Sequence, residues 1–442
     1  MRAAVWVLLV AACGDNGTPR DPLFTGLSGS RIKLQWYLYQ DGARQLETAA
    51  FYDAHLHVRC EPKHFVDGVY RCAPIADTTV FRDRECTPES ELGTATNVRT
   101  PKYFVGHDRI DGKLRAARLL RAGARMETAP AQFFERRDGA CVQIGEPPTV
   151  SYFEIASADN IDELAEVWAD RMEGERLGLR ILSGIDHLSA PVGYVDQLLG
   201  FDCRPEVQPD GTTACVPLEA VAAAHFADPY CEQRVIVAAA PRTISVPDVN
   251  GCPSYFGAGD PHASLVYRRE GATCVRAFLQ TGEQAYRIGA PLELASVRRI
   301  VEDNADHRLQ RIAVAAGPML TLDDRLYDTA TRTDCRSIGN GELAICVPTN
   351  AATGVHVFAN DKCTRELFVA DLPRVQCSRA AFAVVDLMSI HAIGAPHTSP
   401  LYTLDAGGQC RARAAIPESV PHLLGPAIPP TTFVAGVVFS ER

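Results

Sequence analysis

The feature that most constrains the fold is a set of cysteines, turns and aromatic residues that recurs three times in the same order. Each copy has a strand ending in an aromatic-x-Asp or x-Tyr-Asp pattern, a cysteine, a Gly-containing turn, Cys-x-Pro, and Phe-x-Asp/Asn-x-x-Cys. The first cysteine of the set is Cys60, Cys203 and Cys335, a period of about 135 residues. Such recurrence is typical of repeat architectures. The 442 residues therefore predict three tandem copies of one unit.

In each copy a turn lies between two of the cysteines. Asp67-Gly68, Asp210-Gly211 and Asn340-Gly341 occupy this position, and such pairs favour the tight type I′ turn of a β-hairpin. In copies 1 and 2 the turn is off centre, which requires a bulge or a longer loop. A hairpin brings its two cysteines together, so we predict three disulfides: Cys60–Cys72, Cys203–Cys215 and Cys335–Cys346.

The other cysteines leave alternatives open. The chain has 15 cysteines, and an even number remains once Cys13 is set aside, as a disulfide framework requires. Local pairing would join Cys231 to Cys252 and Cys363 to Cys377. Four cysteines, which pair either within copy 1 or between copies, would then be left: Cys86, Cys141, Cys274 and Cys410.

Each copy contains about eight β-like stretches, which suits two four-stranded sheets. The fold class is therefore all-β, and three such copies predict a closed six-bladed β-propeller, with an array of β-sandwich-like domains as the alternative. The segments 162–169, 292–298 and 432–439 occupy equivalent places. The first also fits a helical pattern, but equivalence favours strands. The last strand would pair with 32–38 and close the ring, removing two exposed edges.

The first residues resemble an export signal. One Arg, an apolar run too short to span a bilayer and small residues precede Cys13, an ending that resembles a lipobox. We predict lipid on Cys13, a bacterial cell-envelope location at the outer membrane, and membrane attachment without crossing. The predicted divisions are a signal peptide at 1–12, a flexible tether at 13–30, and copies at 31–174, 175–305 and 306–442.

The candidate chemistry is sparse. A net charge of −10 argues against nucleic-acid binding. His55 and His57 lie two apart on a predicted strand, a spacing that can bind a metal, yet copies 2 and 3 have Leu198 and Gly200 there. The recurrent Asp53, Asp196 and Asp328 are typical turn caps, as are Asp83, Asp228 and Asn360. We find no motif for a catalytic nucleophile, phosphate loop or metal enzyme, so we predict no catalytic residue, cofactor or metal.

The repeated pattern of cysteines, turns and aromatic residues, over about residues 30–442, resembles the uncharacterised cysteine-containing repeat lipoproteins common in myxobacteria. That resemblance implies location and architecture, and no activity. The favoured hypothesis is a non-enzymatic envelope module that binds a glycan, peptide or protein through loops that vary between the copies. The rivals are an envelope polysaccharide hydrolase or lyase, and a purely structural coat protein. Two or three unshared Asp, Glu or His side chains in one pocket would favour the enzyme.

Overall fold

The computed structural model describes residues 23–440 except for several short segments. These are 96–100, 111–112, 129, 131, 138–139, 145–150, 209, 241–242, 248–252, 271–272, 280–281, 303, 317–318, 340–342, 350, 365, 372–381, 387–388, 398–399, 405–408 and 414–420. The described residues are all-β: they form 38 strands and three single-turn 3-10 helices, and no α-helix.

The strands follow the three copies along the chain. Copy 1, preceded by β1 (Leu23–Phe24), contains β2 (Ile32–Tyr39), β3 (Arg44–Asp53), β4 (Val58–His64), β5 (Tyr70–Pro74), β6 (Asp77–Phe81), β7 (Glu91–Ala95), β8 (Tyr103–Ile110), β9 (Lys113–Arg125), β10 (Phe133–Arg137), β11 (Ala140–Ile144), β12 (Ser151–Asp159) and β13 (Ala165–Met172). Copy 2 contains β14 (Leu177–Gly184), β15 (Ser189–Asp196), β16 (Phe201–Val207), β17 (Thr213–Pro217), β18 (Val221–Ala222), β19 (His225–Phe226), β20 (Arg234–Ala238), β21 (Ile244–Pro247), β22 (Pro253–His262), β23 (Val266–Glu270), β24 (Thr273–Ala277), β25 (Gln284–Pro291) and β26 (Arg298–Val301). Copy 3 contains β27 (Leu309–Ala316), β28 (Met319–Asp328), β29 (Thr333–Gly339), β30 (Leu343–Pro348), β31 (Ala351–Phe358), β32 (Glu366–Asp371), β33 (Phe382–Asp386), β34 (Ser389–Pro396), β35 (Leu401–Leu404), β36 (Cys410–Arg413), β37 (Pro421–Ile428) and β38 (Ala435–Ser440). The 3-10 helices are Pro88–Ser90, Ile161–Glu163 and Pro430–Thr432.

One large sheet is shared by all three copies. The first four strands of each copy are consecutive neighbours in it: β2 to β5, β14 to β17, and β27 to β30. The last strand of copy 1, β13, joins copies 1 and 2, because its start pairs with β5 and the rest of it pairs with β14. Of the strands predicted at 162–169, 292–298 and 432–439, the first and third are present from Ala165 and Ala435 onward, each after a 3-10 turn. The prediction is wrong for most of 292–298, where Ser296 makes only an isolated bridge before β26 begins.

The large sheet closes into a ring. β38 pairs with β30 and also with β2, where Phe439 lies opposite Trp36, so the pairing expected between the last and first strands is present. At the third junction the Cys215 amide donates to the Ala295 carbonyl at 2.9 Å, and the Val297 amide to the Thr213 carbonyl at 2.8 Å. Closure pairs the two edges that an open sheet would leave exposed.

The remaining strands of each copy form a small barrel beside the ring. In copy 1, β6, β7, β12, β9 and β8 pair in that order and β8 pairs back with β6, while hairpin β10–β11 extends from β6. Copy 3 repeats the arrangement with β31, β32, β37, β34, β33 and hairpin β35–β36. In copy 2 the first strand of the barrel is split into β18 and β19.

The described strands therefore form four sheets, and the six separate sheets that a six-bladed propeller needs are not formed among them. Nor do the copies form independent sandwiches, since their first strands share one sheet. Alternation of apolar residues predicts which face a strand buries but not which strand lies beside it. The strands were thus predictable, but their partners were not, apart from the hairpin strands and the ring-closing pair β2–β38.

The ring core lies between copies. Three buried clusters join neighbouring copies: one contains Leu34 and Leu182, a second Leu179 and Val314, and the third Leu309 with Tyr39. Because each cluster draws side chains from at least two copies, a single copy cannot bury its own ring strands. This dependence on neighbours is expected for repeat units that stack their apolar faces.

The three predicted hairpin disulfides are present. Cys60 bonds to Cys72, Cys203 to Cys215 and Cys335 to Cys346, and all six cysteines are at most 1% exposed. The turn type differs from the prediction, because a type I′ turn needs two residues with positive φ. In copies 1 and 2 only the glycine of each turn has one, +86° at Gly68 and +83° at Gly211. Both hairpins thus have the longer loop that the off-centre turn allowed, and the turn of copy 3 lies outside the described residues.

The remaining described cysteines form an equivalent disulfide in every copy. Cys86 bonds to Cys141, Cys231 to Cys274 and Cys363 to Cys410. The predicted pairs Cys231–Cys252 and Cys363–Cys377 are therefore wrong, and Cys252 and Cys377 lie outside the described residues. The first cysteine of each pair sits in a tight turn with positive φ, and the barrel places the distant hairpin over that turn. Nearness in sequence was thus a poor guide to nearness in space.

The prediction of a flexible tether is wrong for residues 23–30. Residues 23–30 pack on the body: β1 pairs in parallel with β28, and the Ser30 amide donates to the Asp186 carbonyl at 3.0 Å. Leu23 and Phe24 are the apolar residues that pack this segment against the ring core. The predicted signal peptide 1–12, Cys13 and residues 14–22 lie outside the described residues.

Candidate functional site

Buried ion pairs repeat at the three strand ends where the sequence predicted turn caps. Asp53 accepts the amides of His55 and Leu56, as predicted, and also pairs with Arg31 at 2.7 Å. Arg176–Asp196 and Arg308–Asp328 are equivalent, and all three aspartates are at most 1% exposed. Each arginine also donates to a backbone carbonyl just before the last strand of a copy, at Glu163, Glu293 and Thr432. These ion pairs connect neighbouring parts of the ring, and their carboxylates are already bonded to arginines and turn amides.

The second repeated set is also structural. Asp83 accepts the Thr87 amide at 3.0 Å, Asp228 the Gln233 amide at 2.6 Å, and Asn360 the Thr364 amide at 2.9 Å. Each closes the turn that carries the barrel cysteine. The prediction of hydrogen-bonding turns at these positions is confirmed.

His55 and His57 do not form the predicted pair on a strand. The structure places residues 54–57 in a turn between β3 and β4, and His57 has a φ of +56°. Its Nδ1 lies 3.5 Å from the Tyr52 hydroxyl. Across the described part of the chain, no group of three or more His, Cys, Asp or Glu side chains could hold a metal ion.

The three copies differ at a β-bulge in the second ring strand of each copy, which is β3, β15 or β28. The registers of β2–β3, β14–β15 and β27–β28 all shift at equivalent places. The additional residues are 48–50 in copy 1, Val192 in copy 2 and 323–325 in copy 3. Bulges interrupt a ladder and redirect side chains. In copies 1 and 2 these residues are small or apolar, whereas copy 3 has Asp323-Asp324-Arg325.

A cavity of about 470 Å³ lies beside these bulges. Copies 2 and 3 supply its walls and copy 1 contributes Thr48. Three acids and three arginines face it among apolar side chains, a composition typical of a ligand site. The lining residues are Thr48, Leu179, Pro191, Val192, Gly193, Tyr194, Cys203, Arg204, Pro205, Glu206, Leu218, Leu322, Asp323, Asp324, Arg325, Arg336 and Thr349.

Most of the charges in this cavity are paired. Arg325 binds Asp323 at 2.7 Å and donates to the Pro205 carbonyl at 2.7 Å, so it ties copy 3 to copy 2. Burial alone would raise the pKa of Asp323, but the Arg325 guanidinium outweighs it and the pKa is lowered. Arg204 pairs with Glu206, where burial raises the carboxyl pKa despite the arginine.

Asp324 is the carboxyl most open to the cavity. Its side chain is 66% exposed, and its nearest cationic atom, Arg325 Nε, is 3.9 Å away. Partial desolvation by the surrounding protein, followed by the charge of Asp323, raises the pKa of Asp324 to about 7, and the exposure of the side chain limits this shift. Asp324 can therefore both accept and donate a hydrogen bond near neutral pH.

The opposite wall is held by a tyrosine. The Tyr194 hydroxyl lies 2.6 Å from Thr321 Oγ1, and burial raises its pKa above the ordinary value. Tyr194 belongs to copy 2 and Thr321 to copy 3, so the bond fixes the two walls relative to each other.

Sequence reasoning missed the Asp323-Asp324-Arg325 triplet. The signal was available, because the triplet lies just before Leu326-Tyr327-Asp328, where copies 1 and 2 have Thr48-Ala49-Ala50 and Pro191-Val192-Gly193. The triplet is a departure from the repeat, and the pattern shared by the three copies does not include it.

A model of a family described as a family of unknown function, DUF7481, matches residues 6–433. Neither the curated proteins nor the solved structures contain a match. None of the described segments is a helix of the length and apolarity needed to cross a membrane.

Proposed function

The chain belongs to a family of unknown function, DUF7481, and we propose that it is a cell-envelope module that binds part of a glycan, peptide or protein in the central cavity. The proposal includes a lipid anchor on Cys13 at the outer membrane. Binding, without chemical conversion of the ligand, is the role that the site supports best.

The observation that carries the proposal is the contrast between what repeats and what does not. The repeated Arg–Asp pairs, turn caps and disulfides all have structural partners within the chain. The cavity lies mainly between copies 2 and 3, and four of its charged residues, Glu206, Asp323, Asp324 and Arg325, have no equivalent in the other copies. Its volume suits a small ligand or a short polymer segment. Function on a repeated scaffold is normally carried by one such asymmetric cluster.

The charge arrangement favours a polar ligand. Asp323 and Glu206 are already paired with arginines, which leaves Asp324 as the open acidic group. Near its pKa this carboxyl can accept from a ligand amine or hydroxyl, or donate to a ligand carbonyl. Leu179 and Leu322 add apolar surface to the same cavity. Hydroxyl-bearing or amide-bearing ligands with an apolar side match this mixture.

Two observations favour the second candidate, an envelope hydrolase or lyase. Three acids without acidic counterparts in the other copies, Glu206, Asp323 and Asp324, line one cavity, which is the arrangement expected above for an enzyme. Asp323 and Asp324 have pKa values shifted in opposite directions, a property of acid–base pairs. The pairing of the acids argues against glycoside hydrolysis, because Asp323 and Glu206 are each held by an arginine. Only Asp324 is left open, whereas glycoside hydrolysis uses two carboxyls.

The envelope location is supported by chemistry that needs an oxidising compartment. Six disulfides brace the described residues, and such bonds persist mainly outside the cytoplasm. Detergent phase partition of the expressed protein tests the anchor. Wild type should enter the detergent phase, and Cys13→Ser should remain in the aqueous phase. Proteinase digestion of intact cells, with digestion of lysate as the positive control, then shows which membrane face carries the body.

Calorimetric titration with a panel of oligosaccharides and short peptides tests the binding function. Thr48→Trp places a large ring at the cavity while leaving its charges in place, so it should weaken any true cavity ligand at least tenfold. Asp306→Asn, on an exposed turn away from the cavity, should bind as wild type does. Equal affinity in Thr48→Trp would exclude the cavity as the site. Release of shortened products, lost in Asp324→Asn, would establish the hydrolase or lyase instead.

A further inference from the structure

The segment that precedes copy 1 crosses from one wall of the cavity to the other. Leu23 lies opposite Leu320 and Phe24 opposite Thr321 in the parallel pairing of β1 with β28. Three residues later, the Leu27 amide donates to the Ser189 carbonyl at 2.7 Å and the Ser189 amide to the Leu27 carbonyl at 3.0 Å. Five residues thus connect β28 of copy 3 to β15 of copy 2.

These two strands provide the bulges that line the cavity. Leu322 to Arg325 follow Thr321 directly, and Pro191 to Tyr194 follow Ser189 after one residue. The segment therefore binds each wall just before the point where that wall turns toward the cavity.

The side chains of the segment pack behind the same walls. Phe24 packs on the buried cluster that contains Leu179 and Tyr194, and Leu23 packs on the cluster that contains Leu322. All three of those wall residues also line the cavity. Each wall is thus held between the cavity on one side and the segment on the other.

Gly26 shows how closely the segment is fitted. Its φ is +86°, and a Cβ at this position would lie 2.7 Å from the Ser189 carbonyl oxygen and 3.0 Å from Pro191 Cδ. Contacts with backbone at that distance cannot be relieved by a side-chain rotation, and positive φ strains any other residue type. The position therefore requires glycine for this approach to β15.

We propose that residues 23–27, here called the strap, fix the separation of the two cavity walls, so that the strap governs the ligand site without being needed for closure of the ring. The inference rests on the proposed function of the cavity as a ligand site. The strap is also the first part of the body after the proposed anchor at Cys13. Displacement of this segment would therefore change the site directly.

The ring is independent of the strap because its own contacts close it. Each of the three junctions between copies is made by backbone pairs of the ring strands, and each ring hairpin has its own disulfide. The strap adds one short parallel pairing and one bridge to this frame. Loss of the strap contacts should therefore affect the cavity walls and leave the ring closed.

Hydrogen–deuterium exchange of the full chain, read by mass spectrometry, tests the strap without any ligand. Phe24→Ala should raise exchange at least tenfold in peptides covering 192–194 and 321–325, and leave the hairpin of residues 58–74 unchanged. Leu27→Ala is the matched control, because its side chain is in the same segment but 65% exposed, and it should exchange as wild type does. Gly26→Val should repeat the effect of Phe24→Ala through β15.

Unchanged exchange in both wall peptides would overturn the proposal. So would equally faster exchange throughout the ring, or failure of Phe24→Ala to fold, since either would make the strap a general part of the fold. Once a ligand is known, Phe24→Ala should also weaken it at least tenfold. If the walls loosen but no ligand is found, the strap stands and the proposed function fails.

Discussion

The aspartates at the three strand ends and Asp324 in the bulge of copy 3 all lie on the long second ring strands but differ in their surroundings. Asp53, Asp196 and Asp328 are buried, and each is bonded to an arginine and to turn amides. Asp324, four residues before Asp328, faces a cavity and has a raised pKa. The first set occurs in every copy and the second in one.

The difference teaches how to separate folding from function within a repeat. A carboxylate that recurs with its arginine satisfies a structural requirement that every copy shares. Where one copy replaces small residues by two acids and an arginine, the shared fold does not explain the change. Departure from the repeat, more than the repeat itself, indicates the site.

Breaking one repeated ion pair should have the largest effect. Asp196→Ala leaves Arg176 without its buried partner, which should lower the free energy of unfolding by about 3–5 kcal/mol. Asp202→Ala is the matched control, because Asp202 and Arg180 are each about one-third exposed and such pairs contribute about 0–1 kcal/mol. Guanidinium denaturation measures both variants. Similar losses would contradict the structural role given to the repeated pair.

The disulfides should rank by the length of chain that they enclose. Cys86 and Cys141 are 55 residues apart and Cys60 and Cys72 are 12 apart. By loop entropy, replacing both cysteines with alanine should cost about 4 kcal/mol for the first pair and about 3 kcal/mol for the second. The same denaturation measurement compares them. A larger loss for the hairpin pair would show that packing in the ring core outweighs loop entropy.

Converting the bulge of copy 3 to that of copy 1 should separate stability from binding. The triple change Asp323→Thr, Asp324→Ala and Arg325→Ala removes a buried ion pair together with both of its partners. Such replacements are often neutral or stabilising, so the free energy of unfolding should stay within about 2 kcal/mol of wild type. Ligand affinity, measured by calorimetry, should be lost. Retained binding would move the site away from the bulge.

The smallest effect should be a pH dependence from Asp324. Because its pKa is raised to about 7 in the fold, the folded state holds this proton more tightly than the unfolded state does. Stability from this group is present at pH 4 and falls as the pH rises toward and past 7. Solvent exposure of the side chain limits its size. Asp324→Asn should therefore raise the melting temperature relative to wild type more at pH 8 than at pH 5, while Asp306→Asn shifts neither. An equal shift at both pH values would refute the raised pKa.

Local patterns carried much of the prediction. The spacing of Cys335 and Cys346 around an Asn-Gly turn predicted a hairpin disulfide. Equivalence between copies predicted a strand at 162–169, and the structure has it at Ala165–Met172. The local prediction Cys231–Cys252 was wrong, because the partner of Cys231 is Cys274, which lies on a hairpin that only the barrel brings near. The cavity could not be predicted for the same reason, since its lining residues Thr48, Glu206 and Asp324 come from three different copies.

The sequence by itself determined the all-β class, the threefold repeat, the hairpins and the short-range disulfides, because these depend on turn chemistry and on residues a few positions apart. The tertiary structure alone decided that the copies share one ring, that each carries a closed barrel, and that residues 23–27 bind two walls of a cavity. These features depend on which strand edges meet across 100 or more residues. Backbone hydrogen bonds are alike along every edge, so only the packing of the whole ring selects the pairs.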